Sequence, residues 1–163
     1  MSHYITAEID KNEIELTGGS NHRTIRAVSE SGFSIYGMFE AGEFHNGMSG
    51  SGEVKKVDFK IAEQAYRHAI AWALSLQQSF PDMFKQEIEK RKSWDAHFRD
   101  YIFNDIFDEA EINALIEQKN KYQYELSEDT IERAFRLFYG ISRFTSKVYE
   151  YTKRGNEVEI FFG

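Results

Sequence analysis

The chain contains no cysteine and a single proline among its 163 residues. Without cysteine, disulfides, thiolate metal sites and a cysteine nucleophile are all excluded. No apolar run approaches the roughly 18 residues that a membrane-spanning helix needs. The first ten residues lack both the basic and the apolar segment of a secretory signal. We therefore expect a cytoplasmic protein, an environment that keeps thiols reduced and makes disulfides rare.

Positive charge is also in short supply. Twenty Lys and Arg stand against 27 Asp and Glu, which gives a net charge of −7. A free-standing nucleic-acid-binding domain is usually basic, so this balance argues against nucleic acid as the main partner. Aromatic residues, by contrast, are abundant at 15%, with 14 Phe and 9 Tyr. A tyrosine hydroxyl needs a polar partner, which favours positions at rims, grooves and interfaces.

The order of sequence patterns predicts one α+β domain over residues 1–163, with an N-terminal antiparallel sheet, joined by a C-terminal strand, packed against about four helices. β-branched and aromatic residues punctuated by turn residues predict the strands. Residues 40–53 contain four glycines and are expected to form a flexible loop that is a candidate for binding. The predicted strands are 3–9, 13–17, 23–29, 32–39, 122–126 and 157–162.

The helix predicted from Asp58 to Ser79 has an apolar arc that is too wide for a surface helix, so we expect it to lie centrally. Asp58 is its expected N-cap, and Pro81 is expected to end it before a second helix begins. A capping box predicts a short helix after Asp108, and a second one predicts that a long helix starts at Asp129. Gly155 is the residue expected to terminate that last helix.

Charge is unevenly distributed along the chain. Residues 100–132 hold ten acidic residues and only two lysines, a net charge of −8. We expect this segment to form an acidic surface for a basic protein partner, as in a small inhibitor or immunity-type protein that acts without a cofactor. The predicted contact residues are Asp100, Asp105, Asp108, Glu109, Glu111, Tyr122 and Tyr124.

The final helix has the opposite character. A basic stripe follows one of its faces at alternating spacings of three and four residues. Either it binds phosphate or an acidic partner, or it is solvated or neutralised within the fold, and the sequence leaves both interpretations open. The stripe consists of Arg133, Arg136, Arg143, Lys147 and Arg154.

An enzyme acting on a phosphate-containing substrate is the alternative function. His97 has a carboxylate neighbour, Asp95, on the same predicted helix, and Arg91 precedes it by six residues. A nearby carboxylate can orient an imidazole and raise its pKa. The seven-residue segment from Arg91 to His97 has an Arg-x5-His pattern, which resembles the active-site motif of the HEPN ribonuclease superfamily and implies action on RNA phosphates. That family is all-helical, whereas this chain begins with strands.

Two further kinds of site are considered. Glu40, Glu43 and His45 cluster in the glycine-rich segment and offer ligands for a divalent metal, although such a loop supplies little rigid support. The glycines do not form a phosphate-binding loop, because no Gly-Lys-Ser/Thr follows them. A pocket lined by aromatic residues between sheet and helices is the remaining possibility and would bind a small ligand.

Overall fold

The structure is a computed structural model that describes residues 2–90, 108–123 and 125–163. Four strands form an antiparallel sheet in the order β2-β1-β4-β3. The C-terminal strand therefore lies inside the sheet, between β1 and β3. This arrangement confirms the predicted α+β class and the prediction that a C-terminal strand joins the N-terminal sheet. The strands are β1 (Ser2–Ile9), β2 (Asn12–Asn21), β3 (Glu53–Val57) and β4 (Val158–Phe162).

The described helices pack on the inner face of this sheet and on one another. Two short 3-10 turns, Gly37–Phe39 and Gly42–Phe44, follow the first helix. The helices are α1 (His22–Glu30), α2 (Phe59–Ser79), α3 (Pro81–Lys90), α4 (Glu109–Asn120) and α5 (Glu128–Lys153).

Strand β1 shows why the sheet has one buried face. Its residues alternate, so that His3, Ile5 and Ala7 are buried while Tyr4 is half exposed. The β1–β2 turn consists of Asp10 and Lys11, which both have positive φ. Two consecutive residues of positive φ suit the right-handed twist of a tight hairpin, and they fix the register of the two strands.

Helix α2 lies at the centre, as its wide apolar arc predicts. It packs against α4 on one side and α5 on the other, and Trp72 and Leu76 are almost completely buried within it. The Asp58 side chain accepts a hydrogen bond from the Ile61 backbone N–H at 3.0 Å, which confirms the predicted N-cap. The helix ends at Ser79, and Pro81 opens α3 as its first residue.

The strand predicted over 23–29 is wrong, because this segment forms helix α1. Asn21 caps it, and its side-chain oxygen accepts from the Thr24 backbone N–H at 2.9 Å. The buried residues Ile25 and Val28 are three apart, which is helical rather than strand spacing. The strand predicted over 32–39 is also wrong: this segment is irregular and includes the first 3-10 turn.

The strand predicted over 122–126 is wrong as well, because none of its described residues, 122, 123, 125 and 126, forms a strand. The Tyr122 backbone N–H donates to the Lys119 carbonyl, which continues the helical path of α4 into a turn. Gln123 is the buried residue here, and its amide donates to the Ser31 carbonyl at 2.7 Å. The start of the last helix also differs from the prediction, because Ser127 rather than Asp129 is the N-cap. Its predicted end is confirmed: Gly155 follows α5 with φ of 90°.

None of the described helices is both long enough and apolar enough to cross a membrane.

Candidate functional site

Three histidines meet at one end of the sheet. His3 points inward near the start of β1, His22 is the first residue of α1, and His45 follows the second 3-10 turn. The hairpin register pairs Ser2 with Asn21 and so brings the end of β2 beside the start of β1. A strand, a helix start and a loop therefore each supply one imidazole to this three-histidine cluster.

The spacing of the cluster suits a metal ion. One nitrogen from each of His3, His22 and His45 lies within 4.8 Å of the other two. Zinc–nitrogen bonds of about 2.0–2.1 Å in a tetrahedral site place ligand nitrogens about 3.3 Å apart. The rings themselves lie close together, because the ring centroid of His3 is 5.4 Å from that of His45 and 6.1 Å from that of His22.

Two ring nitrogens in the cluster are buried without a hydrogen-bond partner in the described part of the chain. They are Nε2 of His3 and Nδ1 of His22. A buried polar atom without a partner costs roughly 1–3 kcal/mol, so folded proteins keep few of them. Unpartnered buried nitrogens within a cluster of three histidines are consistent with a role as metal ligands.

The Tyr36 hydroxyl group contacts one ring nitrogen of His3. Its hydroxyl oxygen lies 2.8 Å from His3 Nδ1, and its side chain is almost fully buried. When Nδ1 carries the ring proton it donates to this oxygen, and the unpartnered Nε2 keeps its lone pair for a ligand. Metal-binding histidines almost always use their second nitrogen in this way, which fixes both the tautomer and the ring orientation. Burial also raises the pKa of Tyr36 to about 12, so the phenol stays neutral.

The electrostatics favour the neutral forms of His3 and His45. Burial, followed by the neighbouring His45 and His22, lowers the pKa of His3 to about 4. Burial and His22 also lower the pKa of His45 from its ordinary value. Only a neutral imidazole offers a lone pair to a metal. His45 is exposed whereas His3 is buried, so the cluster opens to solvent on the His45 side.

The glycine-rich segment is held in place rather than free. The backbone N–H groups of Gly50 and Gly52 donate to the carbonyls of Gly163 and Phe162, at 3.0 and 2.8 Å. His45 pairs with Gly50 in an isolated β-bridge. The loop is thus hydrogen-bonded to the end of β4, and the backbone of His45 is bridged to this anchored stretch.

Sequence spacing predicted His45 as a ligand together with Glu40 and Glu43. Within the described residues, the structure groups His45 with His3 and His22 instead. Glu40 has φ of 57° at the end of the first 3-10 turn. The partners of His45 are 23 and 42 residues away in the chain, so no local motif signals them.

The predicted acidic surface is only partly described. Asp100, Asp105 and Tyr124 lie outside the described residues, as do Arg91 and His97 of the predicted catalytic pair.

The acidic residues at the start of α4 are exposed, and two of them have internal roles. The Asp108 side chain caps the helix by accepting from the Glu111 and Ala110 backbone N–H groups. The Glu111 carboxylate lies 3.4 Å from the Arg67 guanidinium. Glu109 is exposed on the first turn. Tyr122 is 52% exposed, which is high for an aromatic residue.

The basic stripe on α5 is partly neutralised within the fold. Arg133 lies 2.9 Å from Asp129, and Arg136 lies 3.8 Å from Glu132. Arg154 lies 3.6 Å from Asp10 of the β1–β2 turn. Arg143 and Lys147 line a surface depression together with Glu13 and Glu15 of β2. This part of the structure favours neutralisation over a free basic surface.

No protein-family model matches this chain, and neither a curated protein nor a solved structure matches it.

Proposed function

We propose that the three-histidine cluster binds a divalent transition metal ion, with zinc as the best fit. The observation that supports this most strongly is that His3, His22 and His45 each place a nitrogen within 4.8 Å of the other two. One nitrogen of His3 and one of His22 are also buried without a hydrogen-bond partner among the described residues. Imidazole nitrogen suits zinc, copper, nickel and iron. Magnesium and calcium prefer oxygen ligands, and the cluster supplies none.

The number of ligands points to the kind of metal site. Structural zinc sites use four protein ligands, whereas catalytic zinc sites use three and leave a position for water or substrate. The cluster offers three and is open to solvent beside His45. Zinc in such a site acts as a Lewis acid and lowers the pKa of a bound water to about 7. The proposed function is thus a metal-dependent one, and hydrolysis is the chemistry that this ligand set favours.

We expect the untagged protein to bind one zinc ion per chain, and His45→Ala to weaken the binding by at least about 100-fold. Loss of supporting partners around a metal site already costs roughly 10–100-fold in affinity, and loss of a ligand costs more. Competition with a chromogenic chelator measures both affinities. His45 is the best residue to remove, because its exposure keeps the effect on folding small.

His68→Ala is the matched control. It also removes one histidine, but His68 contacts Lys119 and does not belong to the cluster. Zinc affinity should be unchanged in this variant. Absence of zinc binding by the parent chain, or equal affinity in the His45→Ala and parent proteins, would refute the proposal.

Tyr36→Phe adds a graded test, since loss of the oxygen that faces His3 Nδ1 should weaken binding by roughly tenfold.

The exposed acidic start of α4 supports a second candidate function, the recognition of a basic protein in the cytoplasm in the manner of an inhibitor. Glu109 is exposed there, and the half-exposed Tyr122 offers an aromatic anchor of the kind that interfaces favour. Asp108 and Glu111 are less suited to lead the contact, because capping and the ion pair with Arg67 already use their carboxylates.

If the acidic surface is the interface, its association with a captured basic partner should weaken several-fold between about 0.05 and 0.5 M salt, because screening shortens the range of surface charge. Glu109→Lys should weaken it further. Glu159→Lys is the control, since it makes the same charge change on an exposed residue of β4. Titration calorimetry at several salt concentrations measures the effect. Affinity that is insensitive to both salt and Glu109→Lys would exclude this surface as the interface.

A further inference from the structure

Lys119 is buried in an unusual way. It lies near the end of α4 and is only 5% exposed. Lysines are almost never fully buried unless they are paired with an opposite charge. In the described residues no carboxylate lies within salt-bridge distance of its amine. Nζ instead donates to the Gly32 carbonyl at 3.2 Å and lies 3.4 Å from Nδ1 of His68.

Lys119 lines a pocket. A cavity of about 250 Å³ lies beside Lys119 and His68, between α2 and the segment that follows α1. Its wall combines the apolar side chains of Phe33 and Met38 with the polar groups of Ser34 and Gln64. A second depression, of about 530 Å³, also borders Gln64 and His68. His68 and Gln64 therefore border both cavities, whereas Lys119 lines the first.

The surroundings make the neutral amine more abundant than it is in an exposed lysine. Burial lowers the pKa of Lys119 to about 8. Burial and the Lys119 charge lower the pKa of His68 to about 4, so its imidazole is neutral and accepts a hydrogen bond. A desolvated lysine of lowered pKa is the usual nucleophile for carbonyl compounds, because only the unprotonated amine has a free lone pair.

We propose that Lys119 is a nucleophilic amine that forms an imine with a small aldehyde or ketone bound in this pocket. The Nζ lone pair attacks the carbonyl carbon, and the carbonyl oxygen takes up a proton to give a carbinolamine. Loss of one water molecule then forms the C=N bond, so that amine and carbonyl yield imine and water with no oxidant or reductant. His68, 3.4 Å from Nζ, is placed to accept and return the proton. This site shares no residue with the three-histidine cluster.

Reductive trapping tests the proposal on the complete chain. The folded protein is treated briefly with propanal and sodium cyanoborohydride at pH 7, and modified lysines are mapped by peptide mass spectrometry. A pKa of about 8 in place of 10.5 gives Lys119 roughly 300-fold more neutral amine at this pH. Lower intrinsic nucleophilicity offsets part of this gain, so we expect Lys119 to be modified at least about tenfold faster than other lysines.

Lys121 is the internal control, because it is exposed and only two residues away. In guanidinium, where the pocket is lost, the two lysines should react at similar rates. Lys119→Arg should abolish the fast modification and leave Lys121 unchanged. The rate at Lys119 should level off above about pH 8, whereas that at Lys121 should continue to rise. If Lys119 in the folded protein reacts no faster than Lys121, the proposal is overturned.

Discussion

Replacing Trp72 by alanine is expected to lower the free energy of unfolding by about 3–5 kcal/mol, the usual cost of removing a large buried aromatic side chain. The indole is 1% exposed and stacks on Phe33 at a centroid distance of 5.1 Å. Its N–H donates to the Ser31 hydroxyl at 2.8 Å. The side chain thus joins the central helix α2 to the segment that follows α1.

Urea denaturation monitored by circular dichroism measures this effect. Trp72→Phe is the matched control, because it keeps an aromatic ring in the core and loses only the indole N–H and part of the volume. The Ser31 hydroxyl still donates to the Val28 carbonyl at 2.7 Å, so it is not left without a partner. The loss of unfolding free energy in Trp72→Phe should be less than half of the loss in Trp72→Ala. A loss below about 1 kcal/mol in Trp72→Ala would contradict the central position of this residue.

The parts of the fold that could be predicted from sequence are those with a strong local signal. The apolar arc of α2 extends over many turns, and the Asp58 cap and Pro81 define its ends. Helix α1 was missed for the opposite reason. It spans only nine residues, too few for a clear helical period, and its β-branched residues suggested a strand. The Asn21 cap is the one local signal that identifies it.

The three-histidine cluster could not be predicted because its members are far apart in the sequence and belong to different structural elements. His3, His22 and His45 belong to a strand, a helix and a loop, and only the hairpin register and the docking of the loop on β4 bring them together. The buried lysine is similarly hidden, since nothing near Lys119 in the sequence distinguishes it from Lys121. Its burial depends on contacts with Gly32 and His68 from other parts of the chain.

One irregular segment supports both proposed sites. Between α1 and the glycine-rich loop, residues 31–39 supply Tyr36 to the histidine cluster and Phe33 and Met38 to the lysine pocket. Ser31 anchors the start of this segment to Trp72. Sequence patterns predicted a strand here, but a strand would place alternate side chains on opposite faces of one sheet. The irregular backbone instead directs its side chains to two separate sites.

The last prediction connects the loop to the metal. Gly50→Ala should lower the free energy of unfolding by about 1–3 kcal/mol, the usual cost of an overpacked site. A Cβ atom at Gly50 would lie against the Phe162 carbonyl group, 2.6 Å from its carbon. Backbone atoms inside a sheet cannot rotate away, so the loop must move. Because His45 is bridged to Gly50, the movement should also weaken zinc binding by at least about tenfold.

Gly42→Ala provides the control within the same loop. A Cβ atom there meets nothing within 4 Å, so stability and zinc affinity should stay close to those of the parent protein. Chelator competition measures zinc affinity and thermal melting measures stability in both variants. The results show whether the loop positions His45 or only connects β3 to the preceding turn. Equal zinc affinity in the two variants would show that docking on β4 does not position the ligand. A loss of zinc affinity and stability in Gly50→Ala alone would show that position 50 requires glycine because of the close backbone contact and not because of flexibility.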